Sequence, residues 1–282
     1  MPQLDVAASA KVGQDLESLE RVPLHQPRPT SRWSVSDEAL QHLWSIRERG
    51  LVAKAKRTSE AGRELRSAGL TTALGALTAD GATVARCIGA PVATFGVEAR
   101  HAGRTSTWGY WADREIGVVQ ARASVAELLE GPAVAAPAQD APAQTGPVHL
   151  ELLPLDRAVG RLLAWTGLSP AWAVAEDEPL ILPADVLDDR IDRPGPRSEP
   201  SPVDDWAMRR LWDRPAWTQI SGWSATTGNG FRVVTAGDAG AFRRQPVVDR
   251  PDLVQLFPVP TGTVLQDVVA MFTERRVEAS DV

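Results

Sequence analysis

Two groups of side chains in this sequence could carry chemistry. The acid pairs Asp188–Asp189 and Asp204–Asp205 could act in general acid–base catalysis or bind a cation. They belong to an acidic, proline-containing run, however, which is typical of a solvated loop. Arg100, His101 and Arg104 could bind a small anion, but a polar hairpin tip is the favoured interpretation of the same three residues. The residue types alone leave these alternatives open.

Cysteine and histidine usage gives no sign of a metal or redox centre. The one cysteine, Cys87, excludes an intrachain disulfide and a cysteine-rich zinc module, and the four histidines are scattered. Cys87 falls on a predicted short helix, where the role of a buried small residue is favoured over that of a nucleophile. The sequence contains no Gly-x-Ser-x-Gly, no Walker loop and no His-Glu-x-x-His. We therefore expect no catalytic residues, no cofactor and no bound metal.

Charge and hydropathy argue against two classes of partner. The chain has 282 residues and a formal net charge of −6, which disfavours a broad basic surface for nucleic acid. It has no apolar run long enough to cross a bilayer, and its first twenty residues lack the apolar region of a secretory signal. We therefore expect a cytoplasmic protein that binds no nucleic acid and does not insert into membranes.

Hydrophobic periodicity divides the chain into an arm and two halves. Residues 1–32 are polar and predict a disordered N-terminal arm. In the first half, 33–130, helical spacing is followed by three strands of an antiparallel meander and a short helix. Helical spacing over about 59–79 includes Gly69 and Gly75, which weaken a helix, so two shorter helices are the alternative.

The second half has a similar order of elements. The Pro- and Ala-rich stretch 131–147 predicts a linker, and 148–276 predicts a strand, helices, a second run of strands and a last helix. Asn229-Gly230, between two of these strands, predicts a tight hairpin turn because both residues tolerate positive φ. We therefore expect an α+β fold with strand meanders and helices in each half.

Tryptophan is unusually abundant, with ten residues against one tyrosine. A tryptophan buries a large area in a core, but aromatic side chains beside loops also anchor partners. Trp172 lies two residues after Pro170, and Trp206 follows Asp205, so both adjoin loop-forming residues. We expect the larger share of the tryptophans in the core and at least one at an interface.

The sequence contains the segments Trp33-Ser-Val-Ser-Asp-Glu-Ala-Leu-Gln-His-Leu-Trp44, Glu64-Leu-Arg-Ser-Ala-Gly-Leu70 and Pro91-Val-Ala-Thr-Phe-Gly-Val-Glu98. Together with the order of meander, Pro-rich break and second meander, these segments resemble the EspG family. That family comprises cytosolic proteins associated with the type VII (ESX) secretion system of actinobacteria. The resemblance spans about 33–275.

The resemblance implies a non-catalytic chaperone with one α+β domain over 33–282, a quasi-two-fold arrangement of two antiparallel β-meanders, each flanked by helices. Members of the family hold the apolar tip of a secreted helical heterodimer of the PE–PPE or WXG100 kind, keep it soluble and give the secretion system its specificity. Their contact regions are a hairpin loop in the first meander and helical parts of the second half. By position, the resemblance implies partner contacts at Arg100, His101, Arg104, Leu162, Trp165 and Trp172.

Two other functions are compatible with the same residues. A small-molecule enzyme would place acids such as Asp188 or Asp204 in a cleft, together with a convergent set of polar side chains. A homo-oligomeric scaffold would use the tryptophans to bind a second copy of the chain. An exposed apolar groove would favour the chaperone over the enzyme.

Overall fold

A computed structural model describes residues 31–49, 58–113, 116–131, 143–144, 147–168, 179–193, 201–202, 204, 209, 212–236 and 240–273. The predicted arm up to residue 30 and most of the predicted linker 131–147 lie outside these ranges, as do Trp172, Trp206 and Asp205. Within that linker, Ala143–Gln144 forms a two-residue strand, which the prediction of a linker did not include. The last two residues of the predicted arm, 31 and 32, begin the first strand.

Eleven strands and seven helices occur within the described residues. The strands are β1 Ser31–Val35, β2 Ala93–His101, β3 Arg104–Ala112, β4 Gly117–Ala121, β5 Ala143–Gln144, β6 Val148–Leu153, β7 Leu180–Pro183, β8 Trp217–Ser224, β9 Gly230–Ala236, β10 Ala241–Val247 and β11 Arg250–Val259. The helices are α1 Asp37–Arg49, α2 Glu60–Ser67, α3 Ala79–Gly89, α4 Val125–Glu130, α5 Leu155–Thr166, α6 Ala184–Asp192 and α7 Thr261–Thr273.

Ten of the strands form one open antiparallel sheet in the order β1-β6-β4-β3-β2-β8-β9-β10-β11-β7. The two-residue β5 lies off this path and pairs with β3 in parallel. The predicted α+β class is confirmed. From the central β2/β8 pair outward, one half of the sheet runs β2, β3, β4, β6 and the other runs β8, β9, β10, β11. The outermost strand of each half, β1 or β7, comes before these four strands in the chain. A two-fold relation between the halves in space stays a prediction.

The two faces of the sheet differ in their cover. On the covered face, Phe95, Val97 and Trp108 of the central strands pack against α4, α5 and α7, and the rings of Phe95 and Phe272 lie 4.2 Å apart. On the other face, α1–α3 pack over β1, β6 and β4 at one end, and α6 packs over the opposite end. Between these two groups, Glu98 of β2 and Trp223 of β8 are exposed. We call this side the open face.

Local turn chemistry explains one correct and one wrong prediction. The predicted β8–β9 hairpin is present, although the residue with positive φ is Gly228 (70°) rather than Asn229. The prediction of a single helix over 59–79 is wrong. The alternative of two shorter helices is closer to the structure, which has one short helix at Glu60–Ser67. The chain leaves the helix at Ser67 and has a φ of 74° at Gly69, which a helix cannot contain.

No helix in the described part of the chain combines the length and apolar character needed to cross a bilayer.

The first turns of α3 and α7 each contain a glycine, and these two positions have opposite surroundings. A Cβ on Gly81 would lie 2.0 Å from the carbonyl oxygen of Leu70, whereas a Cβ on Gly262 would meet nothing within 4 Å. We expect Gly81→Ala to lower the free energy of unfolding by about 2 kcal/mol or more, because backbone must move. Gly262→Ala, the matched control, should raise it by about 0.5–1 kcal/mol through helix propensity. Urea unfolding of both variants measures the difference, and equal effects would contradict the close approach.

Candidate partner-binding surface

The tip of the β2–β3 hairpin is buried within the molecule. Ala102 and Gly103 form its turn with φ of 55° and 69°, which brings His101 and Arg104 opposite each other. These two residues are only 4% and 6% exposed. The backbone N–H of Ala102 donates to the carbonyl of Ile191 at 2.9 Å, so the tip is held against the C-terminal end of α6.

Internal partners occupy both polar side chains of this tip. Nδ1 of His101 lies 2.8 Å from the carbonyl oxygen of Trp217, and burial lowers the pKa of His101, so the neutral ring donates this bond. Nη2 of Arg104 donates to the carbonyls of Leu128 and, at 2.9 Å, Gly131 at the end of α4. His101 and Arg104 thus do lie at a polar hairpin tip, and that tip is buried against the rest of the chain. His101 and Arg104 bind carbonyls of their own chain and offer little surface to a partner.

Arg100 belongs to a network of charges centred on Asp188 of α6. Nη2 of Arg100 and Nη1 of Arg244 lie 3.0 Å and 2.8 Å from Oδ1 of Asp188. Nε of Arg100 also donates to Asp192 at 2.8 Å, and Nη1 of Arg244 to Oε1 of Gln219 at 2.5 Å. These five residues, the Asp188 network, connect α6 to β2, β8 and β10.

The charge state of Asp188 follows from this network. Burial raises the pKa of Asp188, but hydrogen bonds and charge from Arg244 and Arg100 outweigh it, so the pKa is lowered overall. The carboxylate is thus an ionised acceptor with both oxygens engaged, which does not suit a proton-transferring acid. Asp189 pairs with Arg193 at 3.0 Å, and the exposed Asp204 pairs with Arg209.

Leu162 and Trp165 lie on α5, and both are buried against the covered face. Nε1 of Trp165 donates to the carbonyl of Arg122 at 3.1 Å. Its ring also lines a cleft of about 270 Å³ with Trp108, Arg122 and a further set of polar side chains. That set includes His149, Glu151 and Arg161, of which Arg161 binds Glu151 at 2.9 Å. Trp172 lies outside the described residues, so the structure brings together only these two of the predicted helical contacts.

Two tryptophans on the open face lie over a pair of glycines. Gly96 of β2 and Gly109 of β3 are directly paired. A Cβ on Gly96 would lie 2.2 Å from Cζ2 of Trp223, and a Cβ on Gly109 would lie 2.4 Å from Cη2 of Trp111. The indoles of Trp223 and Trp111 therefore cover the glycine pair, one from β8 and one from β3.

Trp223 is 50% exposed, although it rests on this platform. The predicted partner contacts included Trp165 and Trp172 but not Trp223. The signal for the site lay in the glycines, because a glycine inside a strand marks the close approach of another group. Pairing β2 with β8, which no local pattern predicts, decides which side chain makes that approach.

Cys87 is fully buried, and its thiol lies 3.5 Å from the carbonyl oxygen of Ile116. Burial raises the pKa of the Cys87 thiol, so the reactive thiolate is disfavoured. The predicted role of a buried small residue is confirmed. Among the residues that the structure describes, no three His, Cys, Asp or Glu side chains meet as a metal-ligand set.

Neither a protein-family model nor a curated protein sequence matches this chain.

The Asp188 network predicts a pH-dependent contribution to stability. Asp188→Asn should lower the free energy of unfolding at pH 7 by about 1–2 kcal/mol, discounted for partial exposure of the site. The lowered pKa of Asp188 means that its stabilisation is complete above the ordinary value of 3.8 and is lost as pH falls through the lowered value. The difference from wild type should therefore shrink on acidification from about pH 5 to pH 2 in urea unfolding.

Asp252→Asn provides the matched control, because Asp252 also pairs with an arginine, Arg250 at 3.1 Å, but both side chains are exposed. We expect no measurable change for it. An equal loss in the two variants would mean that the Asp188 network does not join the elements it contacts.

Proposed function

We propose that this chain is a cytosolic, non-catalytic chaperone of the EspG kind. It binds the apolar tip of a helical PE–PPE-like or WXG100-like secreted pair, keeps that pair soluble and gives a type VII secretion system its specificity. The observation that carries the proposal is the half-exposed Trp223 on the open face, between the helix group α1–α3 and helix α6.

The surroundings of Trp223 suit the binding of an apolar partner. The ring is supported by Gly96, which leaves no side chain beneath it that could turn away. A ring held in place loses little conformational freedom on binding, and large aromatic side chains dominate interface energies. A helix packed across the open face would cover Trp223 and remove its apolar surface from water.

The charged residues beside Trp223 suit a role in partner choice. Glu98 of β2 and Arg232 of β9 are exposed on the same face, as the register of β2, β8 and β9 places them. Charges at the rim of an apolar contact affect specificity and association rate more than affinity. The proposed contact surface is therefore the open face, rather than the buried hairpin tip at Arg100, His101 and Arg104.

Co-expression with the helical secreted pair encoded beside this chain tests the proposal. We expect a 1:1:1 complex on size exclusion, and retention in solution of a pair that aggregates alone. Trp223→Glu should weaken the complex about thirtyfold, since loss of an aromatic anchor costs about 2 kcal/mol or more. Val248→Glu is the matched control, because Val248 is 82% exposed in the β10–β11 turn, and it should leave binding unchanged.

Two outcomes would contradict the proposal. If the pair stays insoluble while this chain elutes alone, no chaperone function remains. If the chain elutes as a dimer that Trp223→Glu dissociates, the homo-oligomeric scaffold takes its place.

The cleft beside Trp165 favours small-molecule binding as a second candidate function. Its volume of about 270 Å³ and its mixture of Trp108, Arg122, His149 and Glu151 would suit a small polar ligand with a flat apolar part. Protection of the chain against thermal unfolding by a metabolite collection tests this candidate, and Trp165→Ala should abolish any protection at this cleft.

A further inference from the structure

The sheet opens between β9 and β10. The two strands pair only where Ala241–Arg243 faces Val233–Thr235, next to their connecting turn. Beyond that point, Gly230–Arg232 of β9 and Arg244–Pro246 of β10 have no strand partner across the gap within the described residues. A register shift between Pro246 and Val247 accompanies the divergence. The backbone N–H and C=O groups on the facing sides of the two strands thus border an open space.

This gap has the size of a peptide site and a positive lining. Its volume is about 600 Å³. Three arginines, Arg232, Arg243 and Arg244, line it against one acidic residue, Asp267, which binds Arg243 at 2.5 Å. Asp188 binds Arg244 from outside this lining, so the local excess is one positive charge, that of Arg232, in a chain with a net charge of −6. Complementary charge attracts an anionic ligand and favours its orientation.

Two further groups at the gap are available to a ligand. Arg232 is exposed, and no ion pair involves it within the described part of the chain. Oγ of Ser221 is buried and has no hydrogen-bond partner among the described residues. Arg243 and Arg244, in contrast, are already held by Asp267 and Asp188. The gap therefore presents one uncommitted cation beside two that are fixed in position.

From these observations we infer that the β9–β10 gap binds an acidic peptide segment in extended conformation. The peptide adds as a short strand, and its main chain bonds the gap-facing backbone groups of Gly230–Arg232 and Arg244–Pro246, of which Pro246 supplies only a carbonyl. Acidic side chains at alternate positions of the peptide lie on the side of Arg232, because alternate residues of a strand share one face. Trp223 also lines the gap, so the two sites adjoin. The inference rests on the strand edges and on Arg232, which bind main chain and charge rather than apolar surface, and it stands without the chaperone proposal.

Fluorescence anisotropy with a labelled peptide tests this inference on the full chain. The probe is Asp-Val-Glu-Val-Asp, compared with Asn-Val-Gln-Val-Asn and with a form of the acidic peptide N-methylated at alternate residues. We expect saturable binding of the acidic peptide. Both other peptides should bind at least tenfold more weakly, the first for lack of charge and the second for lack of main-chain hydrogen bonds.

A pair of charge reversals locates the site. Arg232→Glu should weaken the acidic peptide at least tenfold, because it places a like charge at the gap. Arg63→Glu, at an exposed arginine on α2, changes the net charge equally and should leave the affinity within twofold. Circular dichroism of both variants checks that each is folded.

Three results would overturn the inference. They are the absence of saturable binding, an equal effect of Arg232→Glu and Arg63→Glu, and full affinity of the N-methylated peptide. The assay also separates this site from the chaperone function. Arg232-dependent peptide binding without capture of the helical pair would leave the inference standing and remove only the chaperone proposal.

Discussion

The antiparallel pairing of β2 with β8 is the constraint on which the rest of the structure depends. Six residue pairs, from Phe95 with Ser224 to Arg100 with Gln219, join the strands β1–β6 to the strands β7–β11. Along the path of the ten-stranded sheet, every other pairing is between strands of the same group. This register fixes which side chains reach the covered face and which reach the open face. It also brings Arg100 beside α6, where Asp188 connects it to Arg244 on β10. Ion pairs and backbone hydrogen bonds thus both stabilise the contact between these two groups of strands.

Local chemistry predicted the strands and turns, but it did not predict which surfaces are free. The β8–β9 hairpin was predicted close to its true place, although Gly228 rather than Asn229 takes the positive φ, and Gly69 breaks the 59–79 segment. Both features depend on residues a few positions apart. The burial of His101 and Arg104 depends on α6 and α4, which lie far away in sequence. A periodic pattern cannot show that a polar hairpin will find its carbonyl partners within the same chain.

The exposure of the tryptophans likewise depends on contacts that are distant in sequence. Trp108 and Trp217 are buried in the core, where an indole removes a large apolar area from water. Trp223 lies on the same strand as Trp217, yet it is half exposed, since no described helix covers this part of the open face. Its exposure and the opening between β9 and β10 are neighbouring features of one surface, and the first is apolar while the second is cationic. The two features would therefore select different parts of a partner.

The central position of β2 has a consequence for synthesis of the chain. During translation, β1 to β6 are complete at Leu153, whereas β8 begins at Trp217, more than sixty residues later. Until β8 is made, β2 is a bare edge strand, which can pair with another nascent chain and start aggregation. The exposed carboxylate of Glu98 stands in the middle of that strand. A charge at this place would oppose edge-to-edge association until β8 pairs with β2.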